Sequence, residues 1–243
     1  MNSAANRLKE FAFRFSARAR ERRAKIVAGY FELIEKTKIL DLGSQDGVHI
    51  NRVLNGTSVR PENVYIADLD AAALQRTHER FGYTGVPISE SGPLPFSDGM
   101  FDLVFCSSVI EHVTVAKQDV WEIEDGEDFK RRSFERQREF AAEIRRVGRG
   151  YFVQTPNRKF LIESHSWLPL VSFLPRKLLI KTLKFTNKFW IIHTTPDFNL
   201  LNGSEMAELF PDAEIVFERY FGLVKSIMAI KAAGDNFVER KEI

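Results

Sequence analysis

Residues with ligand-binding potential cluster between positions 38 and 47, in the order Lys38-Ile39-Leu40-Asp41-Leu42-Gly43-Ser44-Gln45-Asp46-Gly47. The apolar run predicts a short buried strand, the glycines a tight turn, and the apolar spacing from Val48 onward a helix. Gly47 can adopt dihedral angles that a side chain disfavours, and glycine lets a backbone approach a ligand closely. A glycine turn between a strand and a helix N-terminus is typical of nucleotide-binding sites, because the first N–H groups of a helix lack partners. This turn is therefore the first candidate binding site.

A second candidate is the carboxylate of Asp68, which ends a β-rich run over residues 63–68. A carboxylate at the carboxyl end of a strand can accept hydrogen bonds from both hydroxyls of a ribose. Asp68 follows the glycine turn by about 20 residues, the distance expected of a ribose-binding acid. Asp70 is better placed as the N-cap of a helix predicted over 71–81.

The glycine spacing leaves three interpretations of the turn. The dehydrogenase fingerprint G-x-G-x-x-G lacks two of its three glycines, because Gln45 and Val48 stand at those positions. Asp41, Gly43 and Gly47 instead fit the acidic-x-G-x-G-x-G turn of class I S-adenosylmethionine (SAM) methyltransferases, from which only Gln45 departs. The third interpretation is an ordinary strand-to-helix turn without a ligand, since short glycine patterns recur by chance.

Length and composition predict one large domain with additions, or two small ones, in a globular chain of 243 residues that is 44% hydrophobic and 28% charged. The net charge of +2 does not indicate a polyanion, so no nucleic-acid partner is expected. The single cysteine, Cys106, excludes an intrachain disulfide and fits a reducing cytoplasm. No signal peptide is predicted, and no apolar run approaches the ~20 residues that span a bilayer. We therefore expect a cytoplasmic protein.

Further motifs identify a family. Leu94-Pro95-Phe96, Phe101-Asp102-Leu103-Val104 and Ile110-Glu111-His112-Val113, together with the glycine turn and Asp68, resemble the class I SAM methyltransferases of the type 11, ubiquinone/menaquinone-like small-molecule group. The resemblance runs from about Lys38 to Asn157. It implies a Rossmann-like, doubly wound α/β fold with a mainly parallel seven-stranded sheet. Predicted strands over 213–219 and 225–231 would form its antiparallel C-terminal hairpin.

The resemblance also implies a cofactor site for SAM. Asp41, Gly43, Gln45 and Gly47 would surround its methionyl part, and Asp68 its ribose. The other implied site residues are Leu69, Ser89, Glu90 near the adenine amino group, and Ser107 at the methyl-donor pocket. His112 would lie near the reacting centre, although a structural histidine is an equal alternative. Residues 107–113 are predicted to turn into a helix.

Two segments lie outside the predicted core, which spans residues 37–243. Residues 1–36 are predicted to form a helical extension whose basic run, Arg18 to Lys25, favours a solvated face over contact with an anion. Residues 158–202 are predicted to form an inserted cap over the active site, with His165 as the preferred general base. A basic-aromatic helix in this cap is lined by Arg176, Lys177, Lys181, Lys184 and Lys188.

These patterns predict a SAM-dependent transfer of a methyl group to a small-molecule, glycan or lipid-linked acceptor. The basic amphipathic helix adds an expected peripheral contact with the inner membrane face. Two alternatives are a non-catalytic SAM-binding or interaction protein and, less favoured, an NAD-dependent oxidoreductase. The acidic stretch 119–128 is interpreted as solvated charge, so no metal site is assigned. A helix is predicted from Gly203 with Ser204 as its cap.

Overall fold

The computed structural model describes residues 3–43, 45–162, 166–190, 192–220 and 222–232. Six helices lie in this part of the chain: α1 (Ser3–Tyr30), α2 (Val48–Val53), α3 (Ala71–Phe81), α4 (Gly126–Val147), α5 (Arg176–Thr186) and α6 (Gly203–Leu209). Seven strands alternate with them: β1 (Ile39–Leu42), β2 (Val64–Asp68), β3 (Thr84–Pro87), β4 (Leu103–Ser107), β5 (Tyr151–Pro156), β6 (Glu214–Tyr220) and β7 (Leu223–Lys231). None of the described helices is long and apolar enough to cross a membrane.

The strands form one seven-stranded sheet in the order β3-β2-β1-β4-β5-β7-β6. β1 pairs in parallel with β2 and β4, so that Ile39 faces Val64 on one side and Leu103 on the other. All four residues of β1 are buried, as expected for a parallel strand with both faces covered. The C-terminal strands are antiparallel, which confirms the predicted doubly wound fold class.

The first of two compact units comprises residues 1–107, 143–153 and 230–243. Its core is rich in aromatic rings: Phe105 stacks on Phe152 with centroids 5.4 Å apart, and Tyr65 meets Phe101 edge-on at 5.4 Å. Gly148 closes α4 within this unit, and a Cβ there would lie 2.7 Å from a methyl carbon of Val104. The extended aromatic core explains why phenylalanine is so common in the sequence.

The second unit comprises residues 108–142 and 154–229. Its apolar cluster joins α5 to the chain on either side of it, through Val171, Leu179, Leu183, Phe198 and Leu200. α6 begins with a capping box in which the Asn202 side chain accepts from Glu205 N and Glu205 accepts from Asn202 N. The cap is therefore Asn202, and the prediction of Ser204 was wrong by two positions.

The helix predicted over 107–113 is reduced to one three-residue turn, Ile110–His112. Ser108 has a φ of 59°, a left-handed conformation that cannot continue into a right-handed helix. Its backbone N–H donates to the carbonyl oxygen of Gln154 at 2.9 Å, so the chain follows β5 at this point instead of coiling. The prediction of a helix was wrong because this long-range bond outweighs local periodicity.

Candidate functional site

The first unit brings most of the predicted ligand-binding residues to one edge of the sheet. Because β1, β2, β3 and β4 are parallel, their carboxyl ends meet at the same edge. Asp68 ends β2 and Ser107 ends β4, while Ser89 and Glu90 follow β3 by two and three residues. Asp41 lies inside β1 and is completely buried.

The Asp68 carboxylate faces the glycine turn. Its Oδ2 accepts a hydrogen bond from the backbone N–H of Gln45 at 2.9 Å, and its Oδ1 accepts one from Asp70 at 3.0 Å. Each carboxylate oxygen retains a second lone pair for a further donor. The neighbouring Asp70 has a separate task, since its side chain accepts from Ala72 N and Ala73 N. The predicted cap of α3 is confirmed.

The turn itself keeps a glycine-like backbone at all three positions of the motif. Gly43, Gln45 and Gly47 have φ values of 80°, 59° and 65°, so Gln45 adopts the left-handed conformation that glycine would adopt there. A Cβ on Gly47 would lie 2.8 Å from Cγ2 of Thr77, because the turn packs closely against α3. The departure at Gln45 therefore leaves the path of the loop unchanged.

The first-turn donors of α2 contribute less than the sequence suggested. α2 has only six residues, and the N–H of Val48 donates to Asp46 Oδ1 at 3.1 Å. The N–H of Gln45 is likewise bound by Asp68. The cradle is thus formed mainly by the turn and the carboxylate.

The surface beside Asp68 fits an adenosyl group. Leu69 exposes 46% of its surface, which is unusual for leucine and offers an apolar face to a flat base. Ser89 and Glu90 are exposed, and the N–H of Ile88 donates to the Asp68 carbonyl oxygen at 3.1 Å, which brings this segment past the end of β2. A carboxylate next to an exposed apolar side chain matches the two halves of adenosine.

Comparison with known proteins decides between the remaining interpretations. Residues 40–125 match the family described as "Methyltransferase domain", a span that includes the glycine turn, Asp68 and the Glu111-His112 pair. The chain carries a class I SAM-dependent methyltransferase domain. SAM is therefore its cofactor, and the oxidoreductase interpretation is set aside. A search of curated protein sequences finds no match.

Solved structures share the fold of this methyltransferase. A chain from the complex between the Haloferax volcanii Trm112 methyltransferase activator and a methyltransferase is 14% identical, with a TM-score of 0.53, over 95% of this chain and 97% of that chain. A SAM-dependent methyltransferase from Aquifex aeolicus is 15% identical, with a TM-score of 0.45, over 85% and 88% of the two chains. One from Mesorhizobium loti is 11% identical, with a TM-score of 0.48, over 85% and 95%.

The two histidines predicted as catalytic are in the second unit of the chain. His112 Nδ1 lies 3.5 Å from Asp197 Oδ1, in a pair of the kind that orients an imidazole. Burial raises the pKa of the Asp197 carboxyl, but hydrogen bonds and the charge of His112 outweigh it and hold the pKa below its ordinary value. The preceding Glu111 is completely buried and accepts a hydrogen bond from the Thr155 hydroxyl at 3.1 Å. His165 lies outside the described residues.

The basic run of α1 corrects one prediction and reveals residues that the sequence interpretation missed. Arg18, Arg20 and Arg22 are exposed as predicted, but Arg23 is only 7% exposed and its Nη1 lies 3.5 Å from Ser107 Oγ. The signal was in the helical spacing: Arg23 lies four residues from Ala19 and four from Val27, and both of these are buried.

His49 makes the stability of the methyltransferase depend on pH. Burial, followed by the charges of Arg23, Arg20 and Arg52, lowers the pKa of His49 to about 3. The unfolded chain binds a proton near pH 6.5 that the folded protein does not take up, so stability is full above pH 6.5 and falls as the pH drops toward 3. The expected slope is at most about 1.4 kcal/mol per pH unit.

Thermal unfolding between pH 7.5 and pH 4.5 measures this effect. His49→Phe keeps an aromatic ring against Phe105 and should flatten the dependence of Tm on pH. His193→Gln removes an exposed histidine and should leave the wild-type profile unchanged. Parallel profiles for wild type and His49→Phe would contradict the prediction.

Proposed function

We propose that this methyltransferase methylates an amphiphilic, lipid-linked acceptor and contacts a membrane surface through α5. The observation that carries the proposal is an exposed apolar stripe formed by Leu178, Phe185 and Phe189, the latter two with 63% and 62% of their surface exposed. Positions 178, 185 and 189 share one helical face, and the rings of Phe185 and Phe189 meet edge-on at 5.1 Å. A soluble surface rarely displays adjacent large aromatic side chains without a partner.

Four lysines border this α5 stripe and give it charge complementarity to anionic lipid. Lys177, Lys181, Lys184 and Lys188 are exposed and follow one another at intervals of four, three and four residues, along one side of the stripe. Lys177 pairs with Glu124 at 3.0 Å, and Lys184 lies 5.7 Å from the centre of the Trp121 ring. A basic amphipathic helix with aromatic side chains is typical of binding in the plane of the lipid interface.

The cofactor end of the proposal assigns roles to the residues of the strand edge. Asp68 would hold the ribose and Leu69 one face of the adenine, with Ser89 or Glu90 at its amino group. Asp41, Gly43, Gln45 and Gly47 would surround the methionyl part, and Ser107 the methyl-donor end. The contact from Gln45 N to Asp68 supports these roles, because it joins the turn to the carboxylate. When bound, SAM supplies an electrophilic methyl group, so the protein must mainly align the acceptor.

Vesicle binding tests the membrane part of the proposal. The double variant Lys181→Glu/Lys184→Glu should reduce binding to vesicles of phosphatidylglycerol and phosphatidylcholine by at least about tenfold, since each basic residue contributes about 1 kcal/mol at an anionic surface. Phe185→Ser/Phe189→Ser should reduce the binding that persists at high salt. The control Lys36→Glu/Lys38→Glu makes the same charge change at exposed positions before β1 and should bind as wild type.

Product identification tests the acceptor class. After incubation with radioactive SAM and a cell extract, label should partition into the organic phase with lipid. Label confined to water-soluble metabolites would contradict a lipid-linked acceptor. Equal vesicle binding by wild type and both α5 variants would contradict the membrane contact and favour a protein partner for the stripe.

The general base is the least constrained part of the mechanism, and His112 stays a prediction. If the acceptor is a hydroxyl or an ammonium, a base must remove its proton, and proton transfer of this kind contributes about 10²–10⁴-fold to a rate. His112→Gln should therefore lower kcat by about 100-fold or more while the affinity for S-adenosylhomocysteine (SAH) changes less than twofold. Unchanged kcat would assign His112 the structural role instead.

A further inference from the structure

Positive charge is concentrated in the first unit where α1 lies beside α2. Arg23 is almost completely buried, and burial of a guanidinium is unfavourable unless it is paired or bound. Arg20 and Arg52 lie close enough to Arg23 and to each other to act on the same imidazole, that of His49. Within the described residues Arg20 and Arg52 make no salt bridge, and the carboxylate whose charge acts on Arg20 is Asp46.

His49 adds a buried polar atom that lacks a partner. Its ring lies edge-on to Phe105, with centroids 5.1 Å apart, and Nε2 is inaccessible and forms no hydrogen bond. An unsatisfied buried polar atom costs about 1–3 kcal/mol, so such atoms are often completed by a ligand or water. The surrounding arginines lower the pKa of His49, and in its neutral form the ring can donate from Nε2.

We propose that Arg20, Arg23, Arg52 and Nε2 of His49 form a binding site for a phosphate group of the methyl acceptor, next to Ser107 at the carboxyl end of β4. The inference rests on the proposed function, because it specifies the anionic part of the lipid-linked acceptor. Guanidinium groups bind phosphate with paired, charge-assisted hydrogen bonds. Three guanidiniums opposed by one carboxylate match the two negative charges of a phosphate ester or diphosphate.

The amino-acid end of SAM is the other source of an anion at this edge of the sheet. That end carries one carboxylate but also an ammonium group, and the sulfonium follows. It would add as much positive charge to the arginines as it neutralises. A phosphate has no such penalty, so the charge balance favours the acceptor.

Calorimetry and thermal unfolding with pyrophosphate test the site, at constant ionic strength and with saturating SAH. Wild type should bind pyrophosphate, and Arg20→Gln should weaken that binding by about tenfold, the loss of one charge-assisted contact. Arg18→Gln removes an equally exposed arginine two residues away on α1 and should bind pyrophosphate as wild type. Arg23→Lys keeps the buried charge but loses the guanidinium fork, and should weaken pyrophosphate binding without lowering the SAH-induced rise in Tm.

Three results would overturn the proposal. Wild type that binds no pyrophosphate at millimolar concentration, or Arg20→Gln that binds it as tightly as wild type, would remove the site. Malonate that binds more tightly than pyrophosphate would replace phosphate by carboxylate. Competition between pyrophosphate and SAH, with Arg20→Gln weakening SAH but not 5′-methylthioadenosine, would assign the arginines to the amino-acid end of SAM. Failure of the α5 membrane contact would leave all of these measurements unaffected, so the two proposals fail separately.

Discussion

Asp68→Asn should abolish the SAH-induced rise in Tm and weaken SAM binding by about 100-fold or more, the equivalent of two hydrogen bonds to a charged group at about 1.5–3 kcal/mol each. The native carboxylate accepts from Gln45 N on one oxygen and from Asp70 N on the other. An asparagine amide presents one oxygen and one NH₂ group, so one of these two N–H donors would face another donor. The substitution therefore disturbs the glycine turn in addition to removing the acceptor for the ribose.

Asp70→Asn is the matched control for this prediction. Asp70 lies two residues away and caps α3 through Ala72 N and Ala73 N, and asparagine is an equally good N-cap. Isothermal calorimetry with SAH should give the wild-type affinity for Asp70→Asn and almost no binding for Asp68→Asn. If Asp68→Asn is folded by circular dichroism and still binds SAH within threefold of wild type, the assignment of Asp68 to the ribose is wrong.

The strand edge could be predicted from sequence because its signals are local. A buried strand, a glycine turn and an acid at the next strand end occur within 30 residues of one another, and the parallel sheet then brings them together. The cap role of Asp70 follows from its position one residue before α3. Even the unusual Gln45 could be placed, since the turn requires a left-handed residue whatever its side chain.

Features that depend on contacts distant in sequence could not be predicted in this way. Ser108 leaves the helical path because Gln154 binds its N–H, and no pattern around residue 108 reports that bond. Arg23 belongs to a run of basic residues in which charge alone suggests solvent. Only its spacing from Ala19 and Val27 distinguishes it from the exposed arginines beside it.

Arg176 is the clearest example of a residue whose charge was misinterpreted. The sequence interpretation grouped it with Lys177, Lys181, Lys184 and Lys188 along one exposed helix, and that was wrong for Arg176, which is 7% exposed. Its guanidinium donates to the carbonyl oxygens of Val120 at 2.6 Å, Ile123 at 2.6 Å and Pro196 at 3.1 Å. It also lies 3.2 Å from the centre of the Phe129 ring. Arg176 thus joins three separate segments of the second unit.

Arg176→Met should therefore lower the free energy of unfolding by about 3–5 kcal/mol, because it leaves three carbonyl oxygens without their donor at about 1–3 kcal/mol each. Burial lowers the pKa of Arg176 to about 10, so the group is still charged at neutral pH and its hydrogen bonds are charge-assisted. Arg176→Lys should be intermediate, since an ammonium group cannot reach three carbonyls in the geometry of a guanidinium fork. Urea unfolding followed by circular dichroism gives the comparison.

Lys177→Met provides the control at the next position of the same helix. Lys177 is exposed and pairs with the exposed Glu124, and surface pairs of this kind contribute little to stability. The urea midpoint of Lys177→Met should stay at the wild-type value, while that of Arg176→Met should fall clearly. If the two midpoints are equal, the three carbonyls must be satisfied without the guanidinium, and the second unit does not depend on Arg176.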